Sequence, residues 1–208
     1  MDRASLDRWC EKGILGLTLA ALVFGPLAAG AVGAWEFLTL QALIIGVVIL
    51  WLVRMWTQEN YRLLWPPVCW SVLAFTAYAI IRYQQAEIEY VARMELIRIL
   101  TYAFLFLAVL NNLHRQESTQ SITYVLVFLG MAVSLYAVFQ FITNSAYVWH
   151  LFGPEIKPDQ YLNRGSGTFI CPNNFAGFLE MLIPLGLAMT LKGRHSATSR
   201  VFLGYASV

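Results

Sequence analysis

Apolar positions in this chain come in long runs, each near the roughly 20 residues a helix needs to cross a ~30 Å hydrocarbon core. The runs predict helices over 14–34, 37–56, 63–81, 96–113, 122–142 and 175–191. Gly33, Trp35 and Glu36 mark a tight turn between the first two. Pro66 and Pro67 fall in the first turn of the third, where a missing N–H costs little. Trp65 and Trp70 suit a bilayer interface. The last apolar stretch, 201–208, is too short to span and reads as the start of a seventh helix inside which the chain stops. The expected fold class is therefore all-α: a polytopic transmembrane bundle of six full spans plus the start of a seventh, forming one membrane domain over 1–208.

The polar connections carry the charge. Ala29-Gly30-Ala31 superficially resembles a signal-peptidase site, but the run before it is longer than a signal h-region, so the first helix is expected to be retained. Between the runs lie polar stretches over 82–95 and 111–121, and a basic loop with Lys192, Arg194, His195 and Arg200. The longest connection, 143–174, is rich in Gly, Pro, Asn and aromatic residues and is too irregular to lie unsupported in lipid. Orientation follows from Lys and Arg in short loops. One side would hold Arg3, Arg8, Lys12, Arg54, Arg62, Arg115, Lys192, Arg194 and Arg200; the other holds only Arg82, Arg93, Arg98, Lys157 and Arg164. The N-terminus is then cytoplasmic, and 82–95 and 143–174 share the outer face.

Composition agrees: 59% of residues are hydrophobic and 12% charged. Lipid is thus an expected partner. A formal net charge of +2 with no basic tract points to no nucleic-acid partner. Cys10, Cys69 and Cys171 are odd in number and widely spaced, which gives neither a metal pair nor a disulfide framework. There is no phosphate-binding Walker loop, zinc-like cluster or nucleophile elbow in the sequence, so no metal and no cofactor are expected.

Candidate chemistry concentrates in Arg164-Gly165-Ser166-Gly167-Thr168-Phe169, followed by Cys171-Pro172-Asn173-Asn174-Phe175-Ala176-Gly177. Glycines at 165 and 167 allow close backbone approach, so the loop could present N–H groups, a guanidinium and two hydroxyls to an anion at a helix mouth. The same residues also read as a turn that starts the sixth helix, with Asn173 or Asn174 as N-cap. Arg98 shares a helical face with Glu95 and Tyr102, and either joins Arg164 in binding an anion or pairs with Glu95. Glu180, Asn173, Gly177 and Pro184 form one stripe of the sixth helix, expected to face protein, with Glu180 as charge partner to Arg98 or Arg164. Arg82 and Arg93 are further anion candidates in the outer loop. Gln140, Tyr147, Trp149 and Tyr161 could line a sugar or lipid site, or anchor the chain at the interface.

The Arg-x-Ser-Gly-Thr-Phe motif, with Pro-Asn and Ala-Gly shortly after it at the mouth of a helix, resembles the O-antigen ligase and polymerase family of bacterial envelope glycosyltransferases. The likeness extends over 93–112, the long loop and the sixth helix. It implies a multi-pass protein of the bacterial inner membrane that takes a glycan from a polyprenyl-pyrophosphate carrier at the periplasmic face. By that resemblance Arg164, with Arg98 and Arg82, would hold the pyrophosphate. The family's large catalytic loop, with a further arginine and a histidine, would lie beyond residue 208, and His114, His150 and His195 do not match it. A chain of this length is then expected to be catalytically incomplete. Two other classes fit the apolar pattern: a transporter or channel subunit using Arg98, Glu180 and the break at Pro184, and a small membrane scaffold.

Overall fold

A computed structural model describes residues 3–58, 61–151 and 153–192. Its order is α1 (Arg3–Leu27), α2 (Ala34–Thr57), α3 (Val68–Gln84), α4 (Glu89–Asn112), α5 (Gln116–Ile142), β1 (Tyr147–His150), β2 (Gly153–Ile156), a 3-10 turn at Asp159–Tyr161, and α6 (Pro172–Lys192). Four helices are long and apolar enough to cross a membrane among the described residues: Ser5–Leu27, Ala34–Thr57, Glu89–Asn112 and Gln116–Ile142. That is fewer than the six full spans expected, because α3 starts only after Pro66-Pro67 and has 17 residues, and α6 is not among the four. The expected seventh start over 201–208 and the basic residues from Arg194 to Arg200 lie outside the described residues.

Helix ends depart from the apolar runs for a physical reason: lipid thickness sets the length of a run, while the helix continues as long as its turns find partners. Thus α1 reaches back to Arg3, α4 to Glu89 and α5 to Gln116 through polar turns. The stretch 82–95 is therefore mostly helical, with Arg82 in the last turn of α3. At its other end α1 stops at Leu27, short of the expected residue 34. Ala29, Gly30 and Ala31 all take positive φ, and the Gly30 amide bonds back to the Gly25 carbonyl at 2.9 Å, closing the helix end.

The chain forms two compact units. Among the described residues, one holds those up to Thr18 together with those over 41–118; the other holds Leu19–Leu40 and those from Thr119 to Lys192. In the first, small residues let helices approach: a Cβ on Gly13 would lie 2.7 Å from Leu50, and one on Gly46 would lie 3.0 Å from Leu17. Arg54, in the last turn of α2, is buried. Its Nε bonds Asp7 at 2.8 Å, its Nη2 meets Glu11 at 3.3 Å, and its Nη1 donates to Asn112 at 3.1 Å. Arg115 adds a second ion pair to Glu11. The start of α1 and the ends of α2 and α4 therefore meet at one point. Asn111 also accepts the Leu64 amide at 2.7 Å, which satisfies backbone in the non-helical stretch before α3.

In the second unit, Leu129, Val133 and Ala137 of α5 pack with Phe169 and Phe175, flanked by Val23, Leu27, Phe178 and Leu179. Phe169 lies 6.1 Å from Phe175 and 5.6 Å from Phe178 between ring centroids, so the long loop is anchored by an aromatic side chain set into the helices. The long loop was expected to be irregular, but it contains the antiparallel hairpin, with Tyr147 opposite Ile156 and Trp149 opposite Pro154.

Candidate functional site

The loop from Arg164 to Thr168 is held on its inner side by groups of α5, α1 and the preceding part of the same connection. Gln140, 2% exposed near the end of α5, donates to the Gly167 carbonyl at 2.9 Å and accepts the Ser166 amide at 3.1 Å. Thr168 Oγ1 donates to the Pro26 carbonyl at 2.6 Å, near the end of α1. Lys157, 2% exposed, donates from Nζ to the Arg164 carbonyl at 2.8 Å. Burial pushes the Lys157 ammonium below its ordinary pKa.

Both glycines are required by this seat. A Cβ on Gly165 would lie 2.5 Å from the Ala137 carbonyl oxygen, so only glycine lets the loop touch the α5 backbone. Gly167 has φ +59, and a Cβ there would collide with Val133.

The result is a loop with an interior and an exterior. Ser166 and Thr168, expected to turn hydroxyls toward an anion, are buried, and the Ser166 Oγ has no hydrogen-bond partner. The Ser166 amide is occupied by Gln140. What remains outside is the Arg164 side chain, which is exposed and has no ion pair among the described residues.

Next to Arg164 is a group that sequence reasoning set aside. α6 begins at Pro172, the N1 position proline favours, so Cys171 is the capping residue and Asn173 and Asn174 lie inside the first turn. The expectation of an asparagine cap is thereby corrected. Cys171 Sγ and the Tyr161 hydroxyl share a hydrogen bond at 3.4 Å. The hydrogen bond from Tyr161 and then the Asn174 amide hold the thiol below its ordinary pKa, with smaller help from the Asn173 amide and Arg164 and with burial opposing. The same hydrogen bond raises Tyr161. Thus Arg164, Tyr161, Cys171 and the opening turn of α6 form one positively biased outer corner. The clue in the sequence was cysteine immediately before Pro-Asn-Asn, a capping position at the amide end of a helix.

Other candidates are placed elsewhere. Asn173 and Asn174 are exposed in the first turn of α6. Glu180 is also exposed and makes no ion pair with Arg164, and the Asn173–Gly177–Glu180–Pro184 stripe does not face protein as expected. The packed face of α6 is Phe175, Leu179 and Leu182, whose bulk fills the space beside Gly130 and Val133. Arg98 pairs with Glu95 on α4, and Arg82 is exposed at the end of α3. Both belong to the first compact unit, whereas Arg164 belongs to the second. His150 Nε2 lies 3.4 Å from Glu155 across the hairpin. Among the described residues no group of His, Cys, Asp and Glu could hold a metal ion.

No family model, curated protein or solved structure matches this chain.

Proposed function

We propose that this chain is the pyrophosphate-gripping part of an O-antigen ligase-like glycosyltransferase in the bacterial inner membrane, acting at the periplasmic face on a polyprenyl-pyrophosphate-linked glycan. The observation that carries the reading is the outer corner at Arg164. A guanidinium without an ionic partner among the described residues stands on a loop fixed by Gln140, Lys157 and Thr168, beside the positive end of α6. Such a corner suits a diphosphate, since it offers a planar donor fork on a backbone fixed before the ligand arrives, beside the dipoles of a helix end.

In glycan transfer the polyprenyl pyrophosphate is the leaving group. Arg164 would stabilise the charge it gains as the sugar–phosphate bond breaks. The acceptor's activation is assigned to no residue of this chain.

Helix direction supports the multi-pass reading with six spans. Within the first unit, α2 and α4 both end at Arg54, so the chain between them must travel back, and α3 is the helix that does so. Its 17 residues rise about 26 Å, near the thickness of the hydrocarbon core. Within the second unit, the ends of α1 and α5 both meet the long loop, as alternating crossings require. The Lys and Arg distribution then favours a cytoplasmic N-terminus, with this loop outside.

The test is binding of a polyprenyl pyrophosphate to the purified chain in lipid nanodiscs, competed by inorganic pyrophosphate. Arg164→Ala should weaken binding roughly tenfold or more, the worth of a hydrogen bond to a charged group. Arg164→Lys should recover part of it. Equal affinity of the wild type and Arg164→Ala for the pyrophosphate lipid, or equal affinity of the wild type for an uncharged polyprenol, would overturn the assignment.

A further inference from the structure

The hairpin has an unusual distribution of side chains. In an antiparallel pair, alternate residues point to opposite faces, and a hairpin resting on a protein surface in water places polar groups on its outer side. Here the inner face is anchored by Val148, which is fully buried. The outer face is also apolar: Tyr147 with its partner Ile156, and Trp149 with its partner Pro154. Tyr147 is 50% exposed, Trp149 59% and Ile156 68%. Polar residues, Glu155 and His150, pair with each other on the same side as Val148. An apolar outer face implies a second apolar medium.

The hydrogen bonds of the hairpin fix its level. The Trp149 amide donates to the Tyr136 hydroxyl at 3.1 Å, and the Leu151 amide donates to the Leu27 carbonyl, the last residue of α1, at 2.9 Å. Tyr136 precedes the end of α5 by six residues, about 9 Å of helical rise. Helical side chains lean toward the N-terminus, so the hydroxyl does not reach beyond that level. The hairpin therefore lies beside the last turns of α5, not above them. Phe139, Phe141 and Ile142 of those turns are themselves exposed, continuing the apolar surface of a helix long enough to cross a bilayer.

We infer that the outer face of the hairpin is seated in lipid. Tyr147, Trp149 and Ile156 enter the headgroup boundary of the bilayer that α5 crosses, and the hairpin clamps the long loop at a fixed depth. Tyr and Trp favour this boundary because a large apolar body ends in a polar atom. The inference depends on α5 crossing a bilayer and not on anion binding at Arg164, so either can fail without the other.

The test uses the whole chain with Trp149 as its only tryptophan, the other six replaced by Phe, reconstituted in phosphatidylcholine vesicles. Phosphatidylcholine brominated near the headgroup end of its acyl chains should quench most of the Trp149 fluorescence. Bromines near the midplane should quench far less, aqueous iodide should quench little, and the emission should be blue-shifted. Because six replacements could disturb folding, a second variant carries a nitroxide at Trp149→Cys in a Cys171→Ser background. Its spectrum should be broadened by oxygen and not by a water-soluble nickel chelate. Strong quenching by iodide with none from brominated lipid would place the hairpin in water. Shielding from both lipid and iodide would mean that protein covers the face. Either result overturns the inference.

Discussion

Replacing Gln140 by Leu keeps much of the side chain's volume while removing both of its close partners in the Arg164–Thr168 loop. The Gly167 carbonyl would lose a donor at 2.9 Å and the Ser166 amide an acceptor at 3.1 Å, at a position only 2% exposed. Neither orphaned group has water at hand, and leaving a buried polar group unpaired costs about 1–3 kcal/mol. Two such groups, with partial relaxation of the loop, give an expected loss of about 2–4 kcal/mol. Unfolding by sodium dodecyl sulfate in mixed micelles, followed by circular dichroism, measures it. Amide exchange over 164–169 reports whether the loss is local, and exchange there should accelerate. Gln140→Glu separates the two bonds, since a carboxylate can accept from Ser166 but repels the Gly167 carbonyl. A loss under about 0.5 kcal/mol with unchanged exchange would show that Gln140 does not hold the loop.

Three further outcomes follow from the geometry. Gly165→Ala forces a methyl against the Ala137 carbonyl, and should cost about 1–3 kcal/mol in the same unfolding assay and lift the loop off α5. Arg54→Ala leaves Asp7 and Glu11 without their shared buried cation, and should destabilise the chain by about 3–5 kcal/mol; Arg54→Lys should restore part of this. Cys171 is an acid whose folded pKa is lowered, so a larger thiolate fraction exists at neutral pH than for an ordinary thiol. Its alkylation rate should rise at a lower pH than that of a free thiol, and Tyr161→Phe should move the profile upward; an unmoved profile would remove Tyr161 from the account.

The helices were legible because lipid imposes one simple demand, a run of apolar residues, and α2, α4 and α5 carry it plainly. What the runs hide is where a helix stops. Ala28 to Gly33 is as apolar as the helix before it, yet positive φ at three consecutive residues ends α1 at Leu27. Conversely, Glu89 to Glu95 reads as loop but is helix. The site was partly legible. The glycines at 165 and 167 announced a close approach, and their backbone does meet α5. The direction of the loop was not readable: alternating Ser, Gly and Thr look like donors awaiting a ligand, and only the position of Gln140, 27 residues before Gly167, turns them inward. Lys157 shows the same blindness. A lysine in a polar loop suggests a solvated charge, whereas this one is interior and braces the Arg164 carbonyl.

The hydrogen bond from Thr168 to Pro26 joins residues 142 positions apart. A ribosome adding ~5–20 residues each second needs ~7–30 s to make that length of chain. Throughout that interval the Pro26 carbonyl must wait without its Thr168 donor, while local amides already serve the Phe24 and Gly25 carbonyls. The loop over 164–168 thus settles only after α5 is made, and a pause or misinsertion anywhere between the two residues would leave the Arg164 corner unbuilt while the earlier helices themselves stand.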